Sequence, residues 1–364
     1  MGHLMSAHTP AGNNESGYAM HELRKDPLLG KWVAVLKDSK EPEHYLQYPL
    51  GRRDAAEEST GCMFCSGREP ETPPEIFALR QPGSPPDSSG WHTRVVPKSN
   101  PLFQIEGDLG RKGIGMYDKM NSIGANEIII ESPQHNVPVE LMGPAQMKLV
   151  LATYRHRIAE LEKDPRFRYL LIFKDHGKSA GEVYHHPHAQ VVATPVIPKG
   201  IKEELDGAKD YFFYKERCIF CDMIDEELQN GRRIIMETGH FVAFTPFASI
   251  TPFEFWIMPK KHNCAFQDSD DEEMEDLSFV LTTALKKMNW ILKDPPYHYV
   301  LHTAPNRVPR KDHWHTLGED FHWHIEIMPE LLSRSGFELS SEMFVLTTSP
   351  EDAADYLRGA SPLS

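Results

Sequence analysis

The chain carries one ordered series of parts twice, and this repetition limits the folds open to it more than any single motif does. The first series runs Cys62-Met63-Phe64-Cys65, strands at 91–97 and 126–131, His135, a helix over 143–163 that stops at Lys163-Asp164-Pro165, a strand at 169–173, and His186-Pro187-His188. The second runs Cys218-Ile219-Phe220-Cys221, strands at 240–244 and 253–258, His262, a helix over 272–292 that stops at Lys293-Asp294-Pro295, a strand at 297–302, and His322-Trp323-His324. Two copies of one α+β module explain the order, each an antiparallel sheet covered by its helix, with the two sheets able to join. The expected division is a disordered N-terminus over 1–22, an N-terminal module over 23–200 and a C-terminal module over 201–364. Within these, 51–60 is a charged linker and 199–211 a connector.

A formal charge of −14 argues against nucleic acid or an anionic membrane as partner, because an acidic surface is repelled by both. Phosphate-bearing ligands would need local basic groups. No run of eighteen apolar residues exists and the opening Met1 to Tyr18 is polar, which points to a cytoplasmic enzyme. Four of the five cysteines form the two Cys-x-x-Cys pairs, which in a reducing cytosol suit zinc better than disulfides. Cys264 is left over, as a small buried apolar residue.

The stretch 181–195 holds the chemistry. An imidazole attacks phosphorus well when its far nitrogen is held by an acceptor and donors surround the phosphoryl oxygens. His186, His188 and Gln190 offer those groups, and strand alternation puts them on one face. Pro187 between them calls for an edge or irregular strand. The same pattern would also arise from histidines gathered by chance, or from histidines that all bind metal.

The run Phe173-Lys174-Asp175-His176-Gly177-Lys178-Ser179-Ala180-Gly181, followed by His-Pro-His-x-Gln and Ala193-Thr194-Pro195, resembles the galactose-1-phosphate uridylyltransferase family of the histidine-triad superfamily. The resemblance extends from Asp26 to Arg358. It implies two pseudo-symmetric histidine-triad-like modules, His188 as the nucleophile of a nucleotidyl-histidine intermediate, His186 as a zinc ligand and Gln190 as a phosphoryl contact. Lys178 or Lys174 would add positive charge, Tyr184 would replace a lost hydroxyl, and Glu338 would receive sugar hydroxyls. The first zinc set, Cys62, Cys65, His135 and His186, matches the zinc site of many relatives; the second, Cys218, Cys221, His262 and His322, follows from the repeat and its own Cys-x-x-Cys pair, and both would be saturated and structural. Some family members hold a different metal at the second site through a glutamate and histidines, and Glu204 lies near that glutamate's place. A homodimer is expected on the same ground, with a nucleotide sugar and a sugar 1-phosphate as small-molecule partners.

Only the first copy is expected to react. Position 326, matching Gln190, is a glutamate, and a carboxylate there would repel a phosphoryl group. Departures from the family pattern leave the substrates open: Val183 replaces a serine, Asp175 an asparagine, Glu41-Pro42 an Arg-Pro step, and Lys98-Ser99 stand where an asparagine contacts nucleotide. The leading expectation is a UDP-glucose:hexose-1-phosphate uridylyltransferase with ping-pong kinetics. Its alternatives are a phosphorylase of ADP-glucose or a dinucleoside polyphosphate, and a zinc-stabilised nucleotide-binding protein without turnover.

Overall fold

A computed structural model describes residues 20–46, 61–135, 137–308 and 314–362. The expectations for residues 1–19 and for the 51–60 linker lie outside the described residues. The first half contributes β1 (Glu22–Lys25), β2 (Trp32–Val35), α1 (Pro42–Tyr45), β3 (Phe77–Arg80), β4 (Trp91–Pro97), β5 (Lys112–Ile114) and β6 (Tyr117–Lys119). It continues with β7 (Ala125–Ile130), α2 (Gly143–Leu161), β8 (Tyr169–His176) and β9 (His188–Thr194). The second half contributes α3 (Lys199–Lys215), α4 (Ile219–Asn230), β10 (Ile234–Glu237), β11 (Phe241–Phe244), β12 (Phe255–Pro259) and α5 (Asp271–Leu292). After these come β13 (Tyr297–His302), α6 (Leu317–Asp320), β14 (His324–Pro329), α7 (Gly336–Ser341), β15 (Phe344–Leu346) and α8 (Pro350–Gly359).

Ten strands make one sheet in the order β10-β11-β12-β14-β13-β8-β9-β7-β4-β3, antiparallel at every pairing. The two halves join edge to edge where β8 meets β13, with Tyr299 opposite Lys174 and His298 opposite Asp175. Both long helices cover the same face. On α5, Met274, Leu277, Leu281, Leu285, Met288 and Leu292 recur at helical spacing and bury with Met147, Leu151, Tyr154 and Ile158 of α2 against Ile129, Leu170, Ala189 and Ile257. Asp270 starts α5 by accepting the backbone N–H groups of Glu272 and Glu273, while the Glu273 side chain returns to the Asp270 N–H. Lys293 and Asp294 end it with φ of 57° and 62°.

Three expectations change. Residues 199–215 form a helix, not a connector, and a Cβ on its Gly207 would lie 2.1 Å from the Leu28 carbonyl oxygen. A glycine there lets α3 sit directly on the 26–30 turn. The N-terminal segment also crosses the chain: β2 pairs parallel with β15, and the Tyr45 hydroxyl bonds those of Thr347 and Thr348 at 2.7 and 2.6 Å. Finally, β9 is central, between β7 and β8, and only its entry is irregular: it begins at His188, and Pro187 just before it accepts the Glu131 N–H at 3.0 Å.

Candidate active site

Register fixes which side chains share the face opposite α2 and α5. Val96 pairs with Ile128, Ile128 with Gln190, Gln190 with Phe173, Phe173 with Val300, and Val300 with Glu326. Directly paired residues point the same way, so Gln190 and Glu326 stand in one row. His188, two residues before Gln190, stands in the next row.

The Nδ1 of His188 lies 2.8 Å from the His186 carbonyl oxygen, so Nδ1 carries the proton and Nε2 keeps its lone pair. Burial and the Lys174 ammonium push the His188 pKa down, which favours the neutral ring. Its ring is flanked by Tyr184 and Phe64, with centroids 5.6 and 6.1 Å away. Gln190 is half-buried and its Oε1 accepts from Lys98 Nζ at 2.9 Å.

Other residues singled out by sequence take different places. Lys174 lies on the opposite face, buried, with Nζ 2.6 Å from Glu131 and 2.8 Å from the His188 carbonyl oxygen. The β8–β9 ladder ends at Phe173 and Gln190, so this side chain supplies the donor that the His188 carbonyl lacks. Its expected contact with substrate is therefore corrected to support from behind. Glu131 also accepts from the Tyr154 hydroxyl at 2.5 Å. Lys178 is exposed in the turn before the motif. Glu338, expected to receive a sugar, has its carboxylate engaged by the Ser335 N–H and hydroxyl, both at 2.8 Å, and by the Val345 N–H at 3.2 Å. It caps α7, and that accounts for its lowered pKa once burial is overcome. Asp175 is paired, 2.9 Å from His298 Nδ1.

Both cysteine–histidine sets assemble. Cys62, Cys65, His135 and His186 bring their ligand atoms within 4.8 Å of one another, as do Cys218, Cys221, His262 and His322. The closest pairs are Cys65 to His135 at 3.5 Å and Cys62 to His186 at 3.6 Å, and Cys221 to His262 at 3.3 Å and to His322 at 3.6 Å. Each Nδ1 faces the sulfurs. The far nitrogens of His186, His322 and His262 meet the carbonyl oxygens of Ser132, Pro259 and Gly318 at 2.7, 2.8 and 3.0 Å. These backbone contacts set tautomer and ring angle, as around metal-bound histidines. Either set could hold a metal ion.

A third group was not foreseen as a unit. Glu204, placed by α3, gathers with His302 and His324 within 4.8 Å, separately from Cys218 and Cys221, so a glutamate–histidine set and a thiolate set coexist. Glu326 approaches both imidazoles, at 3.5 and 3.6 Å. Burial opposes a charge on His302, yet the Glu204 and Glu326 carboxylates outweigh it and hold its pKa near about 9.

A strand-borne imidazole with an adjacent amide and, among the described residues, three side-chain clusters that could hold a metal suit a nucleotidyltransferase. Family models agree: the N-terminal domain of galactose-1-phosphate uridyl transferase matches residues 13–198 and its C-terminal domain matches 204–341. The chain belongs to the galactose-1-phosphate uridylyltransferase family. An ADP-glucose phosphorylase of Arabidopsis thaliana is 33% identical over 343 residues, 93% of each chain. A galactose-1-phosphate uridylyltransferase of Thermotoga maritima is 26% identical over 352 residues, 93% of this chain and 98% of the relative. A crystal structure of the Arabidopsis ADP-glucose phosphorylase with bound ADP-glucose matches with a TM-score of 0.78 at 32% identity, covering 95% of this chain and 100% of that one.

Proposed function

We propose that His188 Nε2 attacks the α-phosphorus of a nucleotide sugar, forms a nucleotidyl-histidine and expels a sugar 1-phosphate, after which the nucleotidyl group passes to a phosphate-bearing acceptor. The observation that carries this is the 2.8 Å contact between His188 Nδ1 and the His186 carbonyl, which leaves Nε2 as the nucleophile. Gln190 donates from its amide nitrogen to a non-bridging oxygen as charge builds there.

For the donor we favour ADP-glucose, with inorganic phosphate as acceptor, because the Arabidopsis phosphorylase is 33% identical and the Thermotoga uridylyltransferase 26% over the same share of this chain. The second reading is uridylyl transfer between UDP-glucose and a hexose 1-phosphate, supported by the two family models. Turnover assays on both substrate pairs separate them. ADP-glucose with phosphate should run at least about tenfold faster, and the reverse ranking would move the assignment to the uridylyltransferase.

Both cysteine–histidine sets take zinc in this mechanism. Tetrahedral zinc with S and N ligands at ordinary bond lengths sets S···N separations of about 3.6 Å, and the four closest sulfur–nitrogen pairs span 3.3 to 3.6 Å. Zinc would hold His186, and through its carbonyl the nucleophile, in place. The halves 23–200 and 201–364 are two copies of one module, supported by a strand order that retraces itself outward from the β8–β13 junction. Thiolate ligands need a reducing compartment, which supports the cytoplasm.

A further inference from the structure

We propose that Lys98 is a positioning residue: its ammonium locks the Gln190 side chain with the amide nitrogen turned toward the phosphoryl group. The inference rests on the nucleotidyl-transfer reading and assigns a part of that site which the motif alone does not contain.

Lys98 follows the last residue of β4, and its backbone N–H bonds the Asn126 carbonyl at 2.9 Å, so the chain holds its Cα at the end of the ladder. From there Nζ reaches Gln190 Oε1 at 2.9 Å. An ammonium has three donors and no acceptor, so only the oxygen of an amide can face it. That chemistry decides an orientation which shape alone leaves open, because the two ends of a glutamine amide are nearly the same size. The NH₂ must then point away from Lys98. A reversed amide would offer its oxygen to the phosphoryl group, where it would repel the developing charge. Ile128 and Phe173, the residues directly beside Gln190 in its row, are apolar and cannot set the amide.

The second half supplies an internal comparison. Its matching row runs Phe244, Trp256, Glu326 and Val300, which aligns Phe244 with Val96 and therefore Pro246 with Lys98. Amide and ammonium are lost together there, and Glu326 turns instead to His302 and His324. The half that has the nucleophile has both members of the pair. Lys174 cannot substitute, since it lies on the other face of the sheet and is neutralised by Glu131 at 2.6 Å.

The test is a double-substitution cycle read on the single-turnover rate of nucleotidyl-histidine formation, with ADP-glucose and UDP-glucose as donors and metal content as a folding control. Lys98→Met should slow adduct formation by roughly 10- to 100-fold, with half-saturation by donor changed less than about threefold. Gln190→Ala should cost about 10²- to 10³-fold, and adding Lys98→Met to it should cost less than about twofold more. Lys98→Arg, which keeps donors and charge, should recover most of the rate. A Lys98→Met effect that persists in full beside Gln190→Ala overturns the inference, since Lys98 would then contact phosphate directly; so does a wild-type rate in Lys98→Met. If the unaltered protein forms no adduct with either donor, nucleotidyl transfer itself fails and this inference falls with it.

Discussion

Gln190 and Glu326 occupy the same row of the sheet three strands apart, joined through Phe173 and Val300, and they differ by one NH₂ for one oxygen. Around each, a histidine two residues earlier bonds a backbone carbonyl through Nδ1, His188 at 2.8 Å and His324 at 3.0 Å. Both imidazoles bond the carbonyl two residues back, and under the proposed mechanism the group beside each, amide or carboxylate, would separate a reacting half from a supporting one. An amide donates to a phosphoryl oxygen and a carboxylate repels it.

Gln190→Glu should therefore convert the first half toward the second. We expect adduct formation to fall by about 10²- to 10³-fold, the size of losing one donor to a developing oxyanion, with fold and metal content retained. Single-turnover kinetics with circular dichroism checks this, and a rate within about threefold of wild type would contradict it.

Much of this was legible in the sequence because the informative parts are local. Cys-x-x-Cys spacing, His-x-His alternation and the Lys-Asp-Pro stops after each helix survive without knowledge of the fold, and both cysteine–histidine sets assembled as expected. What the sequence could not show depended on pairing partners. Lys174 and Lys178 look equivalent in a basic run, and only the register opposite Tyr299 shows that Lys174 faces the core. Glu338 is expected to receive sugar hydroxyls, and its capping of α7 is a second role that Ser335 three residues earlier signals. The Glu204, His302 and His324 group draws on a helix and two strands 98 and 120 residues away from Glu204, and no local pattern announces it.

Metal analysis of purified protein should return about two zinc ions per chain. Cys65→Ser and Cys221→Ser should each remove about one, and the first should also slow adduct formation because His186 loses its anchor next to His188. Well under one zinc per chain in the unaltered protein would refute both sites.

Removing one partner of a buried ion pair leaves the other uncompensated. Lys174→Met strands Glu131, which is fully buried, and should cost about 3–5 kcal/mol of stability. Lys178→Met on the exposed turn should stay within about 0.5 kcal/mol. Denaturant titration distinguishes the two, and equal small effects would show that the Lys174–Glu131 pair is not maintained.

The His302 pKa is raised in the folded chain from 6.5 to about 9. The stability it contributes is then complete below about pH 6.5 and is lost as pH rises through about 9, on the order of 3 kcal/mol in all. Thermal unfolding at fixed metal content should show a midpoint that drops across that window, and His302→Gln should flatten the drop. An unchanged slope in the variant would assign the loss to other groups.

The most direct test of nucleotidyl transfer through His188 is the intact mass of the protein after exposure to ADP-glucose, and separately UDP-glucose, without any acceptor. We predict an adenylyl adduct that is absent from His188→Ala and discharged by added phosphate. A uridylyl adduct alone would keep the mechanism and change the donor, whereas an adduct that forms equally in His188→Ala, or none from either donor, would contradict His188 as the nucleophile.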